Sequence, residues 1–215
     1  MAGHDFVAMN RLFRELHRKS REKRHRLFLA LMRPSAKSTI LNVGATGRNT
    51  GLAEQLEHWY SPLERITGGG LFLQETLDYR ASFPGVRPVV FDGCALPFAD
   101  QSFDIVYSNA VLEHLPDRNS VARFAGEIQR VGRSWFVSTP NRRYPVDPHY
   151  HLPFVQFLPQ ENQKRLVAQL GKVPYDHLNL LSSADLRELF PTSRVIGCRV
   201  TFYPETLIAY YTQPE

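Results

Sequence analysis

Residues 39–47 read TILNVGATG, a short apolar run that passes directly into a glycine-containing turn. Leu52, Ala53 and Leu56 follow at helical spacing, so the segment predicts a strand, a tight turn and a helix, the opening of a βαβ unit. Small residues after a parallel strand let a ligand reach backbone amides at a helix N-terminus. The turn lacks the G-x-G-x-x-G dinucleotide fingerprint, and a plain βα turn is the alternative interpretation.

The same alternation of apolar runs and turns continues along the chain. The segment 119–131 carries its apolar residues on one helical face. Strands that alternate with helices predict a parallel sheet covered on both faces. Beyond Pro140 the alternation gives way to a loop region over residues 142–160. We predict further strands at residues 64–70, 88–92, 103–108, 133–139, 194–200 and 206–211, the last two as an antiparallel pair, and further helices at residues 5–33, 160–170 and 182–190.

Length and composition limit the class of protein. The chain has 215 residues, of which 43% are hydrophobic and 22% charged, which is typical of one globular domain with a short appendage. No apolar run approaches the roughly eighteen residues of a membrane span, and the N-terminus lacks the apolar core of a signal peptide. Cys94 and Cys198 are too few for a disulfide framework, so a reducing, cytoplasmic location is the expectation.

The positive charge is concentrated in the N-terminal segment. Residues 1–37 hold ten Lys or Arg against three Asp or Glu, whereas residues 38–215 hold sixteen against eighteen. A nucleic-acid-binding protein more often spreads basic residues along a groove, so nucleic acid is not expected as a partner. We predict a basic helical arm over residues 1–37 and an α/β domain over residues 38–215, with an insertion at about 142–176. We expect the apolar side of the arm to pack on the domain and to close a ligand pocket, with binding of an acidic partner or of an anionic membrane as the alternatives.

Two stretches in the middle of the chain carry a specific pattern. Residues 92–106 read DGCALPFADQSFDIV and residues 108–115 read SNAVLEHL. Together with the turn at residues 44–47, they resemble the class I S-adenosylmethionine-dependent methyltransferases, in the branch that acts mostly on small molecules and lipids. The resemblance covers residues 39–141. It implies a Rossmann-like, doubly wound, mostly parallel seven-stranded sheet with an antiparallel last strand. It also implies transfer of a methyl group from S-adenosylmethionine to a small acceptor, lipophilic or otherwise, with S-adenosylhomocysteine as the product.

The resemblance further implies roles for individual residues. The loop from Gly44 to Gly47 would lie under the methionine part of the cofactor. Asp92 would accept a hydrogen bond from the adenine amino group, and Asn109 and Ala110 would sit beside the sulfonium. All of these positions are carboxyl ends of predicted strands, where ligands bind in open α/β sheets. The residues expected to bind the cofactor are Asn42, Gly44, Ala45, Thr46, Gly47, Gly70, Asp92, Gly93, Cys94, Asn109 and Ala110.

Two features depart from the family pattern. The usual G-x-G-x-G loop has Thr46 and Arg48 in place of its second and third glycines. The acidic residue that grips the ribose hydroxyls falls on Gly69 or Gly70, and Glu75 is the nearest carboxylate downstream. A cofactor-degenerate, non-catalytic binding module on the same fold is therefore the alternative function. A nicotinamide-dependent oxidoreductase is disfavoured, because it needs the G-x-G-x-x-G turn and an acidic residue after the second strand.

The acceptor side is expected in the loop after the fifth strand. Tyr144, His149 and His151 are candidate substrate-contacting residues. His114 is a candidate base or orienting group, with structural packing as its alternative. Asp147, His149 and His151 lie close enough in sequence to bind a divalent metal, but short H-x-H pairs are more often incidental, and no metal is predicted.

Two further stretches bear on the acceptor. The run at residues 152–159 is apolar enough for a hydrophobic substrate or a peripheral membrane contact, with internal packing as the alternative. Residues 1–37 are the other candidate membrane contact. Amino-group methyltransferases of DNA and of glutamine carry N/D-P-P-Y/F where residues 109–112 read NAVL, which argues against methylation of nucleic-acid bases.

Overall fold

A single sheet forms the frame of the protein. The computed structural model describes residues 2–47, 55–175 and 178–214. Its strands are β1 Ile40–Val43, β2 Ile66–Gly69, β3 Arg87–Pro88, β4 Phe103–Asn109, β5 Gly132–Pro140, β6 Arg194–Cys198 and β7 Thr206–Tyr211. They lie in the order β3-β2-β1-β4-β5-β7-β6, and β7 runs antiparallel to both of its neighbours, whereas the other pairs are parallel. The predicted Rossmann-like sheet with an antiparallel last strand is confirmed.

Helices flank the strands throughout the described part of the chain. They are α1 Ala2–Met32, α2 Leu73–Ser82, α3 Arg118–Val131, α4 Gln160–Gln169 and α5 Ser183–Leu189. The sequence predicts all of these except α2, whose Leu73 and Leu77 are exposed, so that its apolar residues do not follow a buried face. No helix within the described ranges combines the length and the apolar character that crossing a bilayer requires.

One predicted helix cannot be compared with the structure. Leu52, Ala53 and also Arg48 lie outside the described residues, and the chain continues with a short 3-10 turn at residues 56–58. By contrast, α5 begins where its capping signal predicts. Ser182 and Asp185 form a reciprocal capping box there, in which each side chain bonds to the other residue's backbone N–H.

The strand β3 is shorter than the predicted strand at residues 88–92. It pairs with β2 only over Arg87–Pro88. As the edge strand of the sheet, β3 can include Pro88, because the missing N–H of a proline is tolerated at an edge. The N–H groups of Val89 and Phe91 still donate to carbonyls at the end of β2 and just beyond it, at 3.0 and 2.9 Å. The chain therefore follows β2 up to Asp92, which is delivered to the carboxyl edge of the sheet.

Hydrophobic side chains cover both faces of the sheet. On one face, α3 and α5 contribute Phe124 and Leu186 to a buried cluster. On the other face, α1 and α2 contribute Phe28 and Tyr79 to a second cluster. This two-sided cover is the doubly wound arrangement that the alternation of elements predicts.

The C-terminal part of α1 belongs to the core. Phe28 is fully buried, and its ring meets the rings of Tyr107 and Phe136 edge to face, with centroid distances of 5.2 and 5.5 Å. Met32 is buried in the same cluster. Aromatic pairs in this geometry contribute about 0.5–1.5 kcal/mol beyond their area burial. The basic segment thus shares a core with the α/β domain, and deletion of the N-terminal residues up to Met32 would remove part of that core.

We expect Phe28→Ala to lower the free energy of unfolding by about 3–5 kcal/mol, because it leaves a cavity between two aromatic rings and loosens α1 from the sheet. Phe157→Ala is the matched control: that side chain is 51% exposed, and its loss should change the free energy by less than about 0.5 kcal/mol. Urea unfolding followed by circular dichroism measures both variants. Equal losses in the two variants would contradict this packing of α1.

Candidate active site

A cavity of about 390 Å³ opens at the carboxyl edge of the sheet. This volume lies within the range of small-molecule sites. The strand ends supply its floor, with residues from 42–46 after β1 and from 107–113 around the end of β4. Residues from 16–24 of α1 form the roof, and residues from 140–151 close one side. The cavity therefore lies where ligands bind in open α/β sheets, and α1 covers it.

The floor is shaped by two glycines in unusual conformations. Gly44 has a φ of +87°, and a Cβ there would stand 2.3 Å from Val111 Cγ2. The N–H groups of Gly44 and Ala45 both donate to the carbonyl of Gly69, at 2.8 and 3.1 Å. Gly69 itself has a φ of +154°, and a Cβ there would stand 2.0 Å from the carbonyl oxygen of Val89. Position 69 consequently has no room for the carboxylate expected at the end of the second strand.

Position 70 is sterically different from position 69. A Cβ on Gly70 would meet Gly44 Cα at 3.9 Å, an ordinary contact distance. Leu71 and Phe72 follow, each 61% exposed, and Glu75 is half-buried in the first turn of α2. The fold can hold a side chain at position 70, so the absence of a carboxylate there is a property of this sequence and not of the backbone.

A buried carboxylate that the sequence analysis missed lies below the floor. Glu57 accepts hydrogen bonds from Asn42 Nδ2, at 2.8 Å, and from the Tyr79 hydroxyl. Burial, assisted by the charge of Glu57, raises the pKa of Tyr79 well above its usual value. Because Asn42 lines the cavity, Glu57 orients a cavity side chain without itself being part of the lining. No motif marks Glu57 in the sequence, and only the fold brings it to Asn42.

The end of β4 presents two expected cofactor residues to the cavity. Ala110 has a φ of +57°, in the left-handed region that costs an L-residue about 1–2 kcal/mol. Its N–H donates to the carbonyl of Ser138 at 2.9 Å, and the Ser138 hydroxyl donates to Asn109 Oδ1 at 2.6 Å. These two bonds to β5 hold Asn109 and Ala110 at the cavity wall.

Asp92, Gly93 and Cys94 form a separate group outside the cavity lining. Asp92 is exposed, and its Oδ1 accepts a hydrogen bond from the N–H of Cys94 at 2.8 Å. Burial, and next the charge of Asp92, raises the pKa of the Cys94 thiol. The cavity lining includes Asn42, Gly44, Ala45, Thr46, Asn109 and Ala110 of the expected cofactor residues, whereas Gly47, Gly70, Asp92, Gly93 and Cys94 lie outside it.

Of the four candidate catalytic residues, three line the cavity and one does not. Tyr144, His149 and His151 line the cavity, and the Tyr144 hydroxyl is 3.2 Å from Thr201 Oγ1. His114 is exposed and lies outside the lining, where its ring packs edge to face on that of His149, with 5.2 Å between centroids. The sequence thus locates three cavity residues and one neighbour of the cavity.

Glu113 lines the cavity in place of its neighbour His114. It is fully buried, and its Oε2 accepts a hydrogen bond from Thr139 Oγ1 at 2.9 Å. Burial raises the pKa of the Glu113 carboxyl, against the opposing influence of its own backbone N–H and of His149. In the 3-10 turn at residues 112–114, Glu113 is buried and lines the cavity, whereas His114 is exposed at its edge. Such a short turn leaves no periodicity in the sequence, which explains why the motif did not reveal which residue faces the site.

Two arginines of α1 bring positive charge to the roof of the cavity. Arg24 donates to Thr206 Oγ1 at 3.0 Å and to Ser20 Oγ at 3.5 Å. Burial lowers the pKa of Arg24, and burial with the like charge of Arg24 lowers that of Arg21 to about 10. Arg18 differs, because it is paired with two carboxylates of its own helix. The cavity side of α1 therefore brings two partly buried guanidinium groups to the lining.

Comparison with known proteins shows similarity to methyltransferases. The methyltransferase domain family matches residues 46–134. Over 133 residues the chain is 29% identical to the chloroplastic tocopherol O-methyltransferase of Arabidopsis thaliana. That match covers 60% of this chain and 36% of the relative, so the chain spans little more than a third of the relative's length.

Solved structures share the whole fold. A protein from Thermotoga maritima, described as an S-adenosylmethionine-dependent methyltransferase and possible histamine N-methyltransferase, aligns with a TM-score of 0.60 at 14% identity, over 98% of this chain and 97% of that one. The N-methyltransferase NodS of Bradyrhizobium japonicum, solved with S-adenosyl-L-homocysteine, aligns with a TM-score of 0.59 at 13% identity, over 91% and 87% of the two chains. At these identities, the likeness shows the fold.

We expect Asp92→Ala to weaken the binding of S-adenosylhomocysteine by about 1–3 kcal/mol without unfolding the protein, because it removes a charged acceptor from the expected adenine position. Isothermal titration calorimetry measures the affinity, and a thermal melt checks the fold. Asp100→Ala, in the same loop and largely exposed, should leave the affinity unchanged. Unaltered affinity in folded Asp92→Ala would remove Asp92 from the binding site.

Proposed function

We propose that this chain, which belongs to the class I S-adenosylmethionine-dependent methyltransferases, transfers a methyl group from S-adenosylmethionine to a small acceptor held beneath α1. One observation carries the proposal. A single cavity is lined both by the strand ends expected to hold the cofactor and by a roof and side loop with polar, charged and aromatic groups. Donor and acceptor would therefore share one enclosed space.

The floor of the cavity fits the methionine end of the cofactor. Gly44 carries no side chain where one would collide with Val111, and the backbone of residues 44–46 is thereby left accessible from the cavity. Asn42 and Asn109 supply polar side chains, each fixed by a partner behind it. The cofactor, when bound, supplies a methyl group on a sulfonium, which is already a strong electrophile. The task of these residues is to hold that group at a fixed place in the cavity.

The acceptor half of the cavity is formed by α1 and the loop of residues 144–151. We assign Tyr144 and His151 to contact with the acceptor, since both line this half. Methyl transfer needs the nucleophile in line with the departing sulfur, and most of the gain comes from orientation and from exclusion of water. In this proposal α1 acts as the cover that limits both the position of the acceptor and the access of solvent.

The charges of the roof favour an acceptor with an acidic group. Two guanidinium groups, those of Arg21 and Arg24, lie at the cavity, and burial lowers the pKa of both. The guanidinium of Arg24 donates to the neutral hydroxyls of Thr206 and Ser20, and a desolvated guanidinium gains most from an anionic partner. Within the same lining, Glu205 accepts backbone N–H groups of its own turn, and Asp147 those of its own loop. A carboxylate or phosphate on the acceptor is the group we propose at this position.

Fewer observations support a lipophilic acceptor than support an acidic one. The relative named tocopherol O-methyltransferase favours it. The apolar run at residues 152–159 does not contribute to the cavity lining, and its Phe154, Phe157 and Leu158 are exposed. An acceptor with an apolar body and an acidic end would suit the mixed lining.

We expect Arg24→Gln to raise KM for an acidic acceptor at least tenfold, because one charge-assisted bond of about 1.5–3 kcal/mol is lost. The assay follows methyl-labelled S-adenosylmethionine with a panel of carboxylate- and phosphate-bearing acceptors and their uncharged esters. Arg18→Gln is the matched control, because Arg18 is paired on the outer side of the same helix, and it should leave KM unchanged.

Calorimetry with S-adenosylhomocysteine separates the alternatives. If the affinity for this compound falls with Arg24→Gln as much as the acceptor KM rises, the guanidinium binds the carboxylate of the cofactor and not the acceptor. If the unaltered protein binds neither S-adenosylmethionine nor S-adenosylhomocysteine at millimolar concentration, the chain is a binding module on a methyltransferase fold, and the proposed function is wrong.

A further inference from the structure

Three side chains with metal-ligating atoms meet at the edge of the cavity. They are Glu113 and His114, from the turn after β4, and His149, from the loop that closes the cavity. One ligand atom from each lies within 4.8 Å of the other two. The two imidazole rings are perpendicular, at 89°, and do not stack face to face. Two adjacent residues of one turn and a histidine from a later loop thus direct one carboxylate and two imidazoles to a common point.

The carboxylate has one oxygen held and the other without a partner. The Thr139 hydroxyl donates to Oε2 of Glu113 at 2.9 Å. Oε1 of Glu113 is fully buried, and no group among the described residues forms a hydrogen bond with it. A buried polar atom left in this state costs about 1–3 kcal/mol, more if it is charged. A ligand that binds Oε1 would therefore remove a penalty that the fold otherwise retains.

A second buried carboxylate, Asp147, orders the loop that carries His149. Oδ1 of Asp147 accepts the N–H groups of His149 and Tyr150, at 2.9 and 2.7 Å, and it lies 3.9 Å from Nδ1 of His149. Nδ1 of His149 is itself buried and, like Oε1 of Glu113, has no hydrogen-bond partner among the described residues. A metal ion bound by this nitrogen would satisfy it.

We infer that Glu113, His114 and His149 form a binding site for a divalent transition-metal ion, with Zn²⁺ as the best-suited member. Two imidazoles and one carboxylate are ligands that Zn²⁺ accepts readily, whereas Mg²⁺ and Ca²⁺ prefer all-oxygen sites. Zn–N and Zn–O bonds of about 2.1 Å place tetrahedral ligand atoms about 3.4 Å apart. The exposed His114 side chain can supply the small inward movement that this requires.

This cluster differs from the sequence grouping of Asp147, His149 and His151. His149 belongs to both sets, but Asp147 stands behind the ring and His151 is not part of the converging group. The partners of His149 come instead from the end of β4. The spacing of residues along the loop therefore indicated His149 as a ligand, but it could not indicate Glu113 or His114.

The position of the site gives the ion a role that rests on the proposed methyl transfer. Glu113 and His149 both line the cavity, so an ion held by them would lie at the cavity wall and would leave a position open to an acceptor bound there. An acceptor O–H bound there loses its proton more readily. The oxygen then forms a bond to the methyl carbon, the bond from that carbon to sulfur breaks with its electron pair, and the proton leaves to solvent. No external oxidant or reductant is needed.

Titration of Zn²⁺ tests the site without cofactor or acceptor. The full chain is treated with a chelator, desalted and titrated with Zn²⁺ in a calorimeter, and Mg²⁺ is titrated in parallel. We expect one Zn²⁺ per chain, no measurable Mg²⁺ binding, and a loss of Zn²⁺ affinity of at least a hundredfold in Glu113→Gln and in His149→Ala.

Two further variants keep the test decisive. His58→Ala removes an exposed imidazole remote from the cluster in sequence and should bind Zn²⁺ as the unaltered protein does. If Glu113→Gln or His149→Ala does not fold, His114→Ala, at an exposed position, serves in its place and should weaken binding at least tenfold. Absence of Zn²⁺ binding, or binding that folded cluster variants leave unchanged, overturns the site. Because calorimetry with S-adenosylhomocysteine is a separate measurement, the proposed function can fail while the metal site stands, and the reverse.

Discussion

The packing of Phe28 against the rings of Tyr107 and Phe136 is the contact on which the cavity depends. It fixes α1 to the sheet at a helical position one turn beyond Arg24. Residues four apart share a helix face, and the face in question carries Leu16, Ser20, Arg24 and Phe28. This helix face therefore lines the cavity at Leu16, Ser20 and Arg24 and reaches the hydrophobic core at Phe28. A helix held only by its charged surface would not keep the guanidinium groups at a defined height above the floor.

The opposite wall of the cavity depends on the turn that follows β4. Ala110, in a left-handed conformation, ends the strand, and Glu113 follows only three residues later. Both are tied to β5, Ala110 through the carbonyl of Ser138 and Glu113 through the hydroxyl of Thr139. Two consecutive residues of one strand thereby position a proposed cofactor contact and a proposed metal ligand. This explains why the strained backbone at Ala110 persists: the bonds to β5 over-determine it.

The sequence predicts the fold better than the site because the two depend on different kinds of information. Strands and helices come from local periodicity, and α2, the helix missed within the described residues, leaves its Leu73 and Leu77 exposed, so its apolar residues mark no buried face. The site depends on contacts across the sheet. Glu57 reaches Asn42, and Arg24 reaches Thr206, through topology alone. The motif at residues 108–115 locates the functional turn. It does not show which side chain lines the cavity, because a 3-10 turn of three residues is too short to produce a periodic pattern in the sequence.

Taken together, the charges around the cavity favour one kind of chemistry. The roof carries two arginines, the proposed metal site would add a further positive charge beside Glu113, and the methyl donor is itself a cation. The lining also holds the carboxylates of Glu113, Asp147 and Glu205, of which the first would bind the proposed ion and the other two accept backbone N–H groups. A neutral nucleophile would emerge from the reaction with a positive charge close to Arg24 and to the proposed ion. An anionic nucleophile instead removes charge from the cavity as the bond forms, and Coulomb interactions in a poorly solvated space are stronger than in water. An acceptor that reacts through an anionic oxygen, with a second acidic group held by Arg24, is therefore the one that these side chains stabilise best.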